Sequence, residues 1–99
     1  MTQDRLKQKI TKAVESDPHQ DAIKSISIFG SYLHGNHRSS SDLDLLLELD
    51  KNVGLFTLAA IQLHLEKELG LPVDLVEKES LSKYLKSKVI KEAQKVYER

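Results

Sequence analysis

The chain has 99 residues, of which 39% are hydrophobic and 30% charged, and its 15 basic side chains balance 15 acidic ones. This length predicts a single domain over residues 1–99, and the neutral charge and 5% aromatic content disfavour a nucleic-acid-binding module. The absence of cysteine excludes disulfides and thiolate chemistry. The charged N-terminus lacks a signal-peptide core, and no apolar run is long enough to span a membrane. These features and the absence of cysteine lead us to expect a cytoplasmic protein.

Hydrophobic periodicity predicts the elements of the first half of the chain. Apolar residues at helical spacing between Leu6 and Val14 predict an amphipathic helix over about residues 3–16. The alternation in SISIFGS predicts a strand that ends at Gly30. Residues 31–41 are predicted to form a loop with one helical turn. DLDLLLEL then predicts a second strand, with Asp42, Asp44 and Glu48 on one face and four leucines on the other.

The second half continues with a predicted helix over about residues 54–69, with Gly70 at its C-cap. LPVDLVEK predicts a third strand in which Asp74 faces away from its apolar neighbours. Ser80 is predicted to cap one or two helices that continue to the C-terminus and include Val96 and Tyr97. This order predicts an α+β fold, with a small mixed β-sheet of three or four strands and helices packed mainly on one face.

Three aspartates suggest a metal site. If the second and third strands are neighbours, Asp42, Asp44 and Asp74 converge on one face of the sheet. Three nearby carboxylates repel one another, and Mg²⁺ relieves that repulsion because it prefers oxygen ligands from carboxylates, phosphates and water. Two such ions can clamp the attacking and leaving oxygens of an in-line displacement.

The Gly-Ser before these acids suggests a phosphate-binding loop. Gly30 permits close backbone approach, Ser31 provides a hydroxyl and an N–H at the start of a helical turn, and Gly35 adds a second permissive position. Each motif has an ordinary alternative, since Asp-x-Asp and Gly-Ser alone usually mark a solvated strand end or a turn. Their combination in this order favours a phosphate and cation site.

The stretch GSYLHGNHRSSSDLDLLLE, followed by Asp74 on the next strand, resembles the Gly-Ser…Gly…Ser-Asp-x-Asp signature of the DNA polymerase β-like nucleotidyltransferase superfamily. In its small size the chain resembles the minimal nucleotidyltransferases (MNT), which include the MntA-type antitoxins of HEPN/MNT toxin–antitoxin pairs. The motifs cover about residues 26–76, and VIKEAQKVYER resembles the last helix of the family. The resemblance implies a polymerase β-like fold. It implies phosphate binding by Gly30, Ser31, Gly35 and Ser41, and catalysis and metal binding by Asp42, Asp44 and Asp74.

The resemblance also implies a reaction. AMP would pass from ATP to a tyrosine hydroxyl of a HEPN-type RNase toxin, with two Mg²⁺ ions, and Asp74 would help to deprotonate the acceptor. The toxin would form a hetero-oligomer with the chain. Two alternatives stay open, namely a non-catalytic antitoxin that neutralises its partner by binding, and nucleotidyl transfer to a small molecule.

Two features depart from the pattern or lie beyond it. His34 stands where many members carry an arginine, so the phosphate contact would titrate near neutrality unless Arg38 replaces it; the ordinary alternative is that His34 and His37 are plain loop residues. The segment from Lys78 to Arg99 has seven basic and three acidic residues. It is either a solvated helix face or a surface for a phosphate or an acidic partner.

Overall fold

The computed structural model describes residues 3–30, 42–50 and 52–99. In chain order these residues form α1 (Gln3–Glu15), β1 (Ile23–Phe29), β2 (Leu43–Leu49), α2 (Leu55–Leu69), β3 (Val73–Glu77), α3 (Lys83–Glu92) and β4 (Gln94–Glu98). Short 3-10 turns at Gln20–Ala22 and Lys78–Ser80 precede β1 and α3. The single-domain organisation over the whole chain stays a prediction.

The four described strands form one mixed sheet in the order β3-β2-β1-β4. β1 is antiparallel to both β2 and β4, and β2 is parallel to β3. A parallel pair needs a crossover connection, and α2 supplies it between β2 and β3. The predicted α+β class with a small mixed sheet is confirmed. β2 and β3 are neighbours, which meets the condition for their aspartates to converge.

The core lies between one face of the sheet and the two helices α1 and α2. Alternate residues of the strands point into it, and the helices contribute their apolar stripes. Fully buried side chains include Ile10, Val14, Ile26, Leu43, Leu45, Leu47, Ile61 and Leu65. Each such side chain stabilises the fold by about 1.5–3 kcal/mol relative to exposure.

The predicted helical C-terminus is wrong beyond residue 92. α3 ends at Glu92, Ala93 is extended at the C-cap, and Gln94–Glu98 is strand β4. β4 pairs with β1, and the Arg99 N–H donates to Lys24 O at 2.9 Å. Pairing with the available edge of β1 therefore outweighs the helical spacing of the apolar residues, and Val96 is buried in the core.

The helix ends confirm one cap and correct another. Gly70 ends α2 in the left-handed conformation with φ 72°, and its N–H donates to Glu66 O, as predicted. Ser80 does not cap α3, because its hydroxyl donates to Glu77 O within the preceding turn. Ser82 is the N-cap and accepts from the Leu85 N–H at 3.3 Å. Among the described helices, none has the length and apolar character needed to cross a bilayer; a cytoplasmic location stays a prediction.

Candidate active site

Strands β2 and β3 place two carboxylates side by side. In the parallel register Leu43 lies opposite Val73, and Asp44 lies opposite Asp74. The first pair is buried in the core, so alternation turns the aspartates to the opposite face of the sheet. Asp42 directly precedes β2 and is exposed. The prediction that Asp44 and Asp74 meet on one face therefore agrees with the strand register.

The surroundings of Asp44 disfavour its negative charge. Burial raises the pKa of this carboxyl, and so do the charge of Asp74, a hydrogen bond with Asp74 and the charge of Asp42. Among residues 3–30, 42–50 and 52–99, no Lys or Arg forms an ion pair with Asp44 or Asp74. The described residues at this end of the sheet therefore bring carboxylates together without a basic partner among them, an arrangement that a cation would stabilise.

Gly30 approaches the same carboxylate closely. It follows β1, whose Phe29 pairs with Asp44, and it has φ +78°. A Cβ at this position would collide with Asp44 Oδ2 and lie 3.0 Å from Asp44 Cγ. Backbone conformation and lack of space both require glycine here. The Gly-Ser motif and the Asp-x-Asp motif therefore meet at Gly30 and Asp44.

Glu48 lies farther along the same face of β2 but differs from Asp44 electrostatically. Its carboxylate accepts hydrogen bonds from Ser25 Oγ at 3.1 Å and Lys78 Nζ at 3.3 Å, and Lys24 Nζ lies 3.8 Å away. Burial alone would raise the pKa of Glu48, but these hydrogen bonds and lysine charges lower it on balance. Glu48 is already neutralised and does not extend the candidate cation site.

A polar recess around Glu48 is not predicted by the sequence patterns. It has a volume of about 140 Å³ and continues the sheet face that carries Asp44; its lining consists of Ser25, Ser27, Leu46, Glu48, Lys78, Ile90, Ala93 and Lys95. Alternation in SISIF does place Ser25 and Ser27 on one face. The contribution of Ile90 and Ala93 depends on how α3 crosses the sheet, which periodicity does not specify.

Comparison with known proteins identifies the family. The model of the nucleotidyltransferase domain family matches residues 7–96, which include every described residue of the candidate site. The chain belongs to this family. The nucleotidyltransferase class predicted from the sequence motifs is confirmed.

Individual relatives agree with this assignment. This chain is 36% identical over 70 residues to the protein adenylyltransferase MntA of Thermococcus cleftensis, and the match covers 71% of each chain. A solved structure provisionally named a minimal nucleotidyltransferase is 33% identical, with a TM-score of 0.78 and 94% of each chain covered. A third solved structure is that of a tri-AMPylated Shewanella oneidensis HEPN toxin in complex with an MNT antitoxin. The match has 22% identity and a TM-score of 0.72, and it covers 99% of this chain and 74% of that chain. At this identity the likeness supports the fold alone.

The nucleotidyltransferase site suits Mg²⁺ by its donor chemistry. Mg²⁺ is usually bound through one or two carboxylates together with substrate phosphates and water. Asp44 and Asp74 provide such a pair, and a divalent ion between them would offset their mutual repulsion. In the described part of the chain, no group of three or more His, Cys, Asp or Glu side chains is placed to hold a metal. The structure thus pairs two of the three predicted ligands, and Asp42 contributes its charge from the end of the strand.

Several predicted site residues of the nucleotidyltransferase lie outside the described residues. They are Ser31, His34, Gly35, His37, Arg38 and Ser41. Their roles at the phosphates stay predictions.

Proposed function

We propose that the chain transfers AMP from ATP to a tyrosine hydroxyl of a HEPN-type RNase toxin and so acts as its antitoxin. The pairing of Asp44 with Asp74 beside Gly30 carries this proposal, because it brings together two acids and the close-packed glycine that the chemistry needs. The relatives support it: one is named a protein adenylyltransferase, and another is an antitoxin in complex with an AMPylated HEPN toxin.

Each site residue has a proposed role. Asp42, Asp44 and Asp74 would hold Mg²⁺, with two ions expected. When bound, the metal would neutralise charge on the phosphates. Gly30, together with Ser31, Gly35 and Ser41, would bind the nucleotide phosphates through backbone N–H groups and hydroxyls.

The reaction is a substitution at phosphorus. The acceptor oxygen forms a bond to the α-phosphorus of ATP, the bond from that phosphorus to the bridging oxygen breaks, and pyrophosphate leaves. The hydroxyl proton passes to Asp74, which must come within hydrogen-bond reach of it. Among the residues that the structure describes, no Lys or Arg pairs with Asp74, in contrast to Glu48, which pairs with Lys78 at 3.3 Å.

The test first looks for a HEPN-domain gene beside the gene for this chain, and its product then serves as the acceptor. After incubation with ATP and Mg²⁺, its intact mass should increase by one or more AMP groups, and peptide mapping should place them on tyrosine. Asp42→Ala with Asp44→Ala should abolish the increase. As a matched control, Asp4→Ala with Glu15→Ala removes two exposed acids from α1 and should leave transfer unchanged. Full transfer by the Asp42/Asp44 variant would refute the assigned site.

The alternative is neutralisation by binding alone. A variant with all three site aspartates replaced by alanine separates the two functions, since it retains the fold's surfaces but loses the carboxylates. If this variant protects cells from the toxin as well as the unsubstituted chain does, catalysis is not the basis of neutralisation. If the acceptor is instead a small molecule such as an aminoglycoside, that molecule should gain AMP in a reaction that contains no protein acceptor.

A further inference from the structure

α3 contributes little to the fold. None of its residues is buried, and it lies over the sheet face opposite α1 and α2, where Ile90 and Ala93 approach Ser25, Ser27 and Leu46. Most helical stability in proteins comes from tertiary packing of an apolar face. A well-capped helix with so little packing suggests a role beyond the core.

The outward side of α3 has a distinct composition. Residues at helical spacing of three and four form one stripe there, which we call the α3 stripe: Lys83, Tyr84, Ser87, Lys88 and Lys91. Tyr84 is 79% exposed, and the adjacent Leu85 is 48% exposed. The stripe is about 12 Å long at the rise of an α-helix, so it suits contact with a single element of another protein.

The charges of the stripe are unbalanced. Within the described part of the chain, Lys83, Lys88 and Lys91 form no ion pair, whereas Lys86 on the sheet side binds Glu79 at 3.0 Å. Lys88 and Lys91 lie one turn apart, and such a like-charge pair destabilises an isolated helix by about 0.2–0.5 kcal/mol. The three lysines around an exposed tyrosine therefore favour an anionic partner.

We propose that the α3 stripe docks an acidic face of the acceptor protein. The lysines complement carboxylates on that face, and Tyr84 supplies an aromatic contact of the kind enriched at interface hot spots. This inference rests on the proposed function in one respect, that the acceptor is a protein. It adds the surface by which that protein is held, formed by residues other than the aspartates.

The observations favour an acidic protein over RNA. The stripe offers one aromatic ring and three lysines, and the chain as a whole has no net positive charge. Single-stranded RNA sites combine a basic groove with several stacking rings. The adjacent exposed Leu85 also matches a protein interface, in which an apolar centre is surrounded by a polar rim.

The test measures binding without catalysis. Binding of the HEPN-domain acceptor is titrated by calorimetry in the absence of ATP, at low and at physiological salt. Lys88→Glu with Lys91→Glu should raise Kd at least tenfold, Tyr84→Ala should raise it at least fivefold, and salt should weaken the unsubstituted complex more than the charge-reversed one. Lys7→Glu with Lys12→Glu, the same charge change on exposed positions of α1, should leave Kd within twofold.

Controls separate the possible failures. Lys88→Gln with Lys91→Gln removes the charges without adding repulsion, and circular dichroism checks that α3 still forms. Equal Kd values for all stripe variants and the unsubstituted chain would overturn the inference while leaving AMP transfer intact. Loss of transfer with normal stripe-dependent binding would refute the proposed reaction alone. Stripe-dependent binding of a single-stranded RNA oligonucleotide, with toxin binding unaffected, would also overturn the inference, as would absence of any complex.

Discussion

Among single residues, Gly30 and Asp44 constrain each other most strongly. Gly30→Ala forces a side chain into the left-handed region and against the Asp44 carboxylate. We expect a loss of about 1–3 kcal/mol of stability from the backbone and a loss of transfer of about 100-fold or more, because Asp44 must move. Thermal melting and transfer assays measure the two effects.

Gly70→Ala is the matched control for this change. Gly70 has φ +72°, close to that of Gly30, but an added Cβ there meets nothing within 4 Å. It should cost similar stability and leave transfer unchanged apart from any unfolded fraction. Equal loss of transfer in both variants would show that strain, rather than the contact with Asp44, is responsible.

Asp44 itself should lower stability at neutral pH when no divalent cation is present. Its pKa is raised in the folded state, so the folded protein binds the proton more tightly than the unfolded chain does. Stability from this group is full below the ordinary value of 3.8 and falls as pH rises through the raised pKa. Asp44→Asn should therefore melt at a higher temperature at pH 7 in a chelator, and the difference should vanish in acid.

Glu48 provides a control in which the pKa is shifted in the opposite direction. The pKa of Glu48 is lowered by Ser25, Lys78 and Lys24, so its ionised form stabilises the fold above the ordinary carboxyl value. Glu48→Gln should melt at a lower temperature than the unsubstituted protein at pH 7. A destabilised Asp44→Asn variant at pH 7 would contradict the electrostatic interpretation of the site.

At the scale of whole elements, β4 gives the clearest test of the fold. Val96 is buried in the core, so Val96→Ala should cost about 1–2 kcal/mol through lost burial and a residual cavity. Val89→Ala makes the same chemical change on α3, which has no buried residue, and should cost less than about 0.5 kcal/mol. Urea denaturation compares the two; equal costs would argue against β4 as a core strand.

Strand alternation is encoded locally in the sequence, whereas the pairing of β4 is not. Period-two alternation is sufficient to predict that Asp44 and Asp74 face away from the core. Each aspartate has an apolar residue on either side in its strand, and the burial of those residues fixes the orientation of the strand. The spacing of Val96 and Tyr97 from Val89 and Ala93 suits a helix and predicts one. Pairing with β1 decides the strand instead, and β1 lies far away in the sequence. Local pattern does not contain that contact.

For the molecule as a whole, metal binding should be coupled to folding. Asp44 and Asp74 lie on different strands and meet only in the folded sheet, so Mg²⁺ binds the native state preferentially. At ten times its Kd, Mg²⁺ should add about 1.4 kcal/mol of stability, which is a rise in melting temperature of several degrees in a domain of this size. A chelator should reverse the shift.

The control for this coupling is a variant with Asp44→Asn and Asp74→Asn, whose melting temperature should not respond to Mg²⁺. NaCl at matched ionic strength should not reproduce the effect in the unsubstituted protein. An equal response to Mg²⁺ in both proteins would place the bound cation elsewhere.

The position of β3 at one end of the described sheet has a consequence for how the site opens. β3 is held by strand hydrogen bonds on one side, to β2, whereas β2 is held on both. Edge segments open locally at lower free energy than central ones, so Asp74 can separate from Asp44 while the rest of the core stays folded. Any ligand that bridges the two carboxylates must therefore close this opening, and slower amide hydrogen exchange across Val73–Glu77 would report site occupancy without any turnover.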